Sequence, residues 1–367
     1  MKKILSLVVL ISTLATSFVQ AGNDQRRGQA GASELLINPW SRSSGFGGAN
    51  SAIARGVEAM HLNVAGIAFT KATELQFTHT KWLVGTDISI YSFGLAQKVG
   101  ETGVLGLALT SVDYGEIPIT TVDVPEGDLG TFRPTNTIIN IAYAKEFSNS
   151  IYGGANIKIV NEAIPDLKAS GVAIDAGIQY VTGIGKNKQL GKKNDDNLVF
   201  GISMKNWGPP MAFRGDGMSI RATLPDGKTL TLEQRSQRFE LPSLIKIGGA
   251  YILTFQQEVD TVEETVKRLQ YLTVAATFTS NAFTKDRYHF GLEYSYKDLI
   301  MIRAGYFYEK GLLDYETRTT VFTGPSAGVS INIPLNKEKG SVFTLEYSYR
   351  DTNPFNGVHS IGARVTL

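Results

Sequence analysis

From residue 73 to the end, the chain repeats one pattern: segments of about ten residues in which apolar and polar side chains alternate, bounded by turn residues. Val172, Ile174, Ala176, Ile178 and Tyr180 share one face of such a segment, with Asp175, Gly177 and Gln179 on the other. Leu198, Phe200, Ile202 and Met204 alternate with Val199, Gly201 and Ser203. Tyr288, Phe290, Leu292, Tyr294 and Tyr296 oppose Arg287, His289, Gly291, Glu293 and Ser295. Ile361, Ala363, Val365 and Leu367 close the chain against Ser360, Gly362, Arg364 and Thr366. The spacing predicts strands over 73–82, 87–97, 102–113, 136–147, 150–163, 169–182, 196–206, 242–256, 269–281, 286–297, 299–309, 321–333, 341–351 and 358–367. Fourteen is an even number, as a closed bacterial barrel requires.

The two faces indicate what surrounds the strands. One carries Gly, Ser, Thr, Asn and single charges, as a lumen would. The other is apolar, with Tyr294, Tyr296, Tyr306, Tyr308, Tyr347 and Tyr349 placed near strand ends, where interfacial girdles form. A soluble β-sandwich would alternate similarly. In a bilayer, however, every backbone group must be paired, so the sheet must close. The fold expected is therefore all-β: a transmembrane antiparallel β-barrel of about 14 strands with an N-terminal plug, lumenal or periplasmic.

Composition adds three points. The mean hydropathy of −0.05 is the average of two opposed faces and does not exclude a membrane protein. A net charge of +2 gives no electrostatic basis for binding nucleic acid. The absence of Cys excludes disulfides, thiolate metal sites and a cysteine nucleophile. At the N-terminus, Lys2 and Lys3 precede an apolar run, Ile4 to Leu14, and then Val19-Gln20-Ala21, which reads as a signal peptide over residues 1–21 cleaved before Gly22.

With the first strand running outward, the longest connections, 114–135 and 207–241, fall on the outer side, the usual arrangement for such barrels. Within the second, residues 219–233 around Asp226-Gly227 predict a small hairpin. On the inner side, Gln256 to Leu269 reads first as a long solvated turn, although Val259, Val262, Val266 and Leu269 at helical spacing also allow a short helix there, or a periplasmic partner site.

Residues 22–72 do not alternate; they are rich in Gly, Ala and Ser. They are expected to form a plug of short helical turns entering from the periplasmic side, since fourteen strands enclose more space than wall side chains fill. The domain plan is thus signal peptide 1–21, plug 22–72 and barrel 73–367.

Three blocks of the plug carry a resemblance: Glu34-Leu35-Leu36-Ile37, then Arg42 before Gly45-Phe46-Gly47-Gly48-Ala49, and finally Asn63-Val64-Ala65-Gly66. They resemble the PorV/PorQ family of outer-membrane proteins of Bacteroidota, within the FadL-like superfamily. The family usually closes this motif with Asn-Pro-Ala-Gly, and Val64 stands where the Pro would be. The resemblance implies a barrel in the outer membrane of a Gram-negative cell, surrounded by lipid and lipopolysaccharide. It also implies a role in type IX secretion beside a giant outer-membrane translocon, or in a related complex with outer-membrane or surface proteins. The FadL branch of the same superfamily implies instead a transporter with a hydrophobic ligand in its lumen; a structural barrel in another complex is the third reading. On the secretion reading, Phe132, Trp207, Pro209, Pro210, Met211 and Phe213 of the outer loops are the partner-binding residues expected. The four His are scattered, without ligand spacing, and no catalytic constellation stands out. The expectation is a non-enzyme without metal or cofactor.

Overall fold

The computed structural model describes residues 22–186, 194–260, 265–336 and 340–367. The signal-peptide expectation and most of the basic run in 185–193 lie outside the described residues. The strands, in chain order, are β1 Thr73–Lys81, β2 Ser89–Val99, β3 Gly103–Asp113, β4 Ile117–Pro118, β5 Thr131–Phe132, β6 Thr135–Ser148, β7 Ile151–Ile164, β8 Leu167–Thr182 and β9 Leu198–Trp207. They continue with β10 Ser219–Thr223, β11 Thr229–Glu233, β12 Leu244–Asp260, β13 Thr265–Asn281, β14 Arg287–Tyr296, β15 Ile300–Glu309, β16 Phe322–Asn336, β17 Ser341–Thr352 and β18 Val358–Thr366.

Fourteen of these close into one barrel, each antiparallel to its neighbours. The seam joins β1 to β18 from Glu74↔Thr366 to Lys81↔His359. The remaining four form two ribbons in the long connections: β4 with β5, and the expected hairpin of β10 with β11. Closure leaves no sheet edge, which is what a hydrocarbon environment demands.

The barrel is inside-out relative to a soluble protein. Leu107, Ile178, Phe200 and Ile302 are 46–60% exposed on the outer face, whereas Gln179, Glu293, Arg303 and Ser330 inside are 3% or less. Alternation therefore serves as expected, with apolar side chains to lipid and polar ones to the lumen.

One element differs from its sequence pattern. The long turn or short helix expected over 256–269 is strand: β12 runs on to Asp260 and β13 starts at Thr265, paired through Gln257↔Arg268 and Val259↔Val266. A short helix here would have had no surface against which to bury its four apolar residues. Extending the ladder satisfies the backbone at once and suits β-branched Val. Residues 261–264, including Val262, lie outside the described residues.

The plug also takes a different route. Gly22 donates its backbone N–H to Asp286 Oδ2 (2.7 Å), and Gly31 donates to the Glu240 carbonyl (3.0 Å), both at the end of the barrel with the long connections. From there the segment descends through the lumen, and at the short-turn end Lys98 donates to the Ala72 carbonyl (2.8 Å) beside the start of β1. The plug thus spans both mouths and does not merely fill the lumen from the short-turn side.

Candidate functional site between plug and wall

The plug consists of single turns: Ser33–Leu36, Ser41–Gly45, Gly56–Glu58, Ala59–Leu62 and Val64–Phe69. Each motif residue has a local reason. Gly47 and Gly48 hold φ of 65° and 76°, a left-handed pair that reverses the chain and aims the Gly47 carbonyl at His289 Nδ1, 2.7 Å away. Asn63 caps the last turn by accepting from the Ala65 N–H (3.2 Å), while its amide donates to the carbonyls of Ile178 (3.1 Å) and Ile202 (3.3 Å) in the wall. Val64 stands at the first position of that turn, where Pro is tolerated because no intrahelical donor is needed. Ala65 is fully buried, and a side chain on Gly66 would run into the Ala54 carbonyl. A Cβ on Gly45 would come within 2.9 Å of Gly328 Cα.

The wall answers with glycines of its own. Gly177 pairs with Gly154 and Gly291 pairs with Gly305, so the plug meets adjacent strands that lack side chains. A Cβ at Gly177 would overlap Asn63, and one at Gly291 would overlap the ring of Phe46.

Charges join the two layers at mid-barrel. Arg42 contacts Glu58 (3.2 Å) within the plug and Glu293 (3.0 Å) on β14. Glu293 also receives Arg303 from β15 (2.8 Å), and Arg364 lies 3.2 Å from Glu346 across β17 and β18. Glu74 accepts the Val57 N–H at 2.7 Å. Nearer the short-turn end, the Arg55 guanidinium lies 3.4 Å from the centre of the Phe69 ring, which in turn packs on Tyr152 at 4.0 Å.

Two spaces remain. Between the plug at Gly47-Gly48 and the wall lies a cavity of about 70 Å³. Its lining includes His61, Lys246, Arg287, His289 and Arg350 but no carboxylate. At the long-loop mouth opens a vestibule of about 440 Å³ whose lining includes Lys168, Arg214 and Arg238, again without an acid. Beneath it lies an apolar floor that reaches the vestibule's lining at Met211: Met211 and Leu241 are buried with Leu35 of the plug, and Phe213 and Phe239 pack against them with rings 5.5 Å apart.

This floor changes the standing of the residues expected to bind a partner. Met211 is 2% exposed and bonded through its backbone to Phe239, so it offers little surface to a protein outside the barrel and faces only the vestibule. Phe213 is half-buried against Phe239, and Phe132 is half-buried in the β4–β5 ribbon. Trp207 is 63% exposed but ends β9 opposite Ile174, in line with the lipid-facing side chains, where it serves as a girdle residue. Pro209 and Pro210 alone are exposed beyond the wall. The structure does not gather these six residues into one surface.

Sequence reasoning missed the wall's share of the site. The signal was present: Glu293, Gly291, His289 and Arg287 occupy the polar face of a single alternating segment. What could not be read was that Lys246 and Arg350, from β12 and β17, would join them.

A family model described as "Uncharacterised protein family (UPF0164)" matches residues 8–253. Comparison with curated proteins gives no match. Among solved structures, the chain is similar to the P. putida toluene transporter TodX (13% identity, 84% of this chain and 92% of that one, TM-score 0.48). It is likewise similar to the monoaromatic hydrocarbon channel CymD (14%, 90% and 97%, 0.49) and to a Pseudomonas aeruginosa FadL homologue (11%, 89% and 96%, 0.46). Identities and scores this low assign no function, and the fold rests on the chain's own strand order.

Proposed function

The chain belongs to the uncharacterised family UPF0164, and from that premise we propose that it is an outer-membrane channel admitting small, largely apolar molecules past a lumenal plug. The observation that carries this reading is the vestibule. The long connection between β9 and β12 folds inward, so that Met211 lines the vestibule while packing, with Leu241, in the buried cluster that includes Leu35 of the plug. Ligand sites are concave and combine apolar surface with placed polar groups; here Pro210, Met211 and Ala212 supply the first, and Lys168, Arg214 and Arg238 the second. By the usual arrangement of barrels, the long-loop end faces outward and the short turns face the periplasm. The proteins named above are a toluene transporter and a hydrocarbon channel, which is consistent with the same class of cargo. A docking role in type IX secretion, implied by the PorV/PorQ resemblance, draws no support from the comparisons.

The test is uptake into proteoliposomes. A monoaromatic hydrocarbon or a medium-chain fatty acid should enter vesicles holding the protein faster than empty ones, and replacing Met211 by Asp should slow entry. Equal rates with and without protein would end this reading, and recovery of a stoichiometric barrel partner from detergent-solubilised membranes would restore the docking one.

A further inference from the structure

The 70 Å³ cavity differs from the vestibule in being walled by cations and hydrogen-bond donors. Lys246 is 9% exposed and makes no hydrogen bond or ion pair among the described residues. Thr279, 3% exposed, lines the same space with a hydroxyl that has no partner. The Arg350 guanidinium carbon lies 3.7 Å from the centre of the Phe322 ring, and its N–H groups make no hydrogen bond among the described residues. Arg287 completes the group; its partner Glu309, 2.8 Å away, is not part of the lining. That carboxylate is held by Arg287 and Thr319. A buried cation and a buried hydroxyl without partners are both costly, and both costs vanish when one acceptor-rich anion sits between them.

We propose that this cavity is a binding site for a small oxyanion, held by Lys246, Arg350 and Thr279, with Arg287 contributing charge. The size agrees: a space of about 70 Å³ takes several waters or one phosphate-sized ion, but no alkyl chain. Because the Gly47–Gly48 turn forms the opposite wall, a bound anion would bridge plug and barrel. The chemistry fits free phosphate or the carboxylate head of a longer molecule whose tail lies outside this cavity. This inference does not rest on transport, so the vesicle result and the binding result can fail separately.

Isothermal titration of the full-length protein in detergent with inorganic phosphate is the direct test, with chloride at matched ionic strength as the control. One phosphate should bind per chain, saturably. Lys246→Met should weaken it by about ten- to a hundredfold, the loss of one charge-assisted hydrogen bond. Thr279→Val keeps the shape and charge of the wall and should weaken binding by about tenfold or less while the barrel stays folded. Titration with acetate and decanoate then assigns the source. Decanoate binding well above acetate marks the head of an amphiphile, and phosphate binding above both marks a free oxyanion. Absence of saturable binding by all three ions, or equal affinity in wild type and both variants, would overturn the proposal.

Discussion

Two groups of charged side chains meet the plug inside one barrel, and they are balanced differently. At mid-barrel, Arg42, Arg303 and Arg364 face Glu58, Glu293 and Glu346 at 2.8–3.2 Å, so each cation has a carboxylate. In the cavity beside Gly47-Gly48, Lys246 and Arg350 have none among the described residues. The first group is a clasp: its charges are neutralised by each other and tie the plug to the wall. The second has no such balance among the described residues, and on our proposal an oxyanion supplies it. Buried charge would then stabilise the plug in one place and specify a ligand in the other.

The largest test of this contrast is Arg42→Met, which leaves Glu58 and Glu293 buried without their common partner. It should cost about 3–5 kcal/mol, read as a fall in urea midpoint for the barrel refolded in lipid or detergent. An unchanged midpoint would show that the clasp holds nothing. A steric break comes next: Gly177→Val drives a side chain into Asn63 and should cost about 1–3 kcal/mol. Limited proteolysis should then cut residues within 22–72 that are protected in the wild type, while the wall stays intact. The smallest effect has the opposite sign. Lys246→Met removes a buried cation that has no partner, so stability should hold or rise by about 1 kcal/mol. The same substitution that weakens phosphate binding would then strengthen the fold, a trade that no residue of the clasp should show.

The wall was legible in the sequence because one physical rule governs every strand. Lipid on one side and a wet, plug-filled lumen on the other force a period of two, and β3 and β14 begin and end within a residue of where that period placed them. The rule also explains the failure at 256–269, where four valines and leucines fitted a helical period as well as a strand and only the neighbouring ladder decided between them. The plug obeys no period. Its small residues announced close packing, but its route depends on contacts such as Gly22 with Asp286, 264 residues apart, which local sequence does not encode. The same holds for the oxyanion cavity. Arg287 and His289 sit on the lumen face that alternation assigns, yet the site exists only because closure brings β12, β13, β14 and β17 around one turn of the plug.

The seam between β1 and β18 has a consequence for how the barrel stays closed. The plug lies immediately upstream of β1, and β18 is the last strand of the chain. Ser41 donates to the Ser360 carbonyl (3.1 Å), and Ser360 Oγ accepts from Thr80 (2.7 Å), so plug, first strand and last strand meet at a single point. The closed seam is therefore braced from within by the plug through Ser41. A chain deprived of residues 30–70 should hold its seam less firmly, and hydrogen exchange along β1 and β18 should rise first.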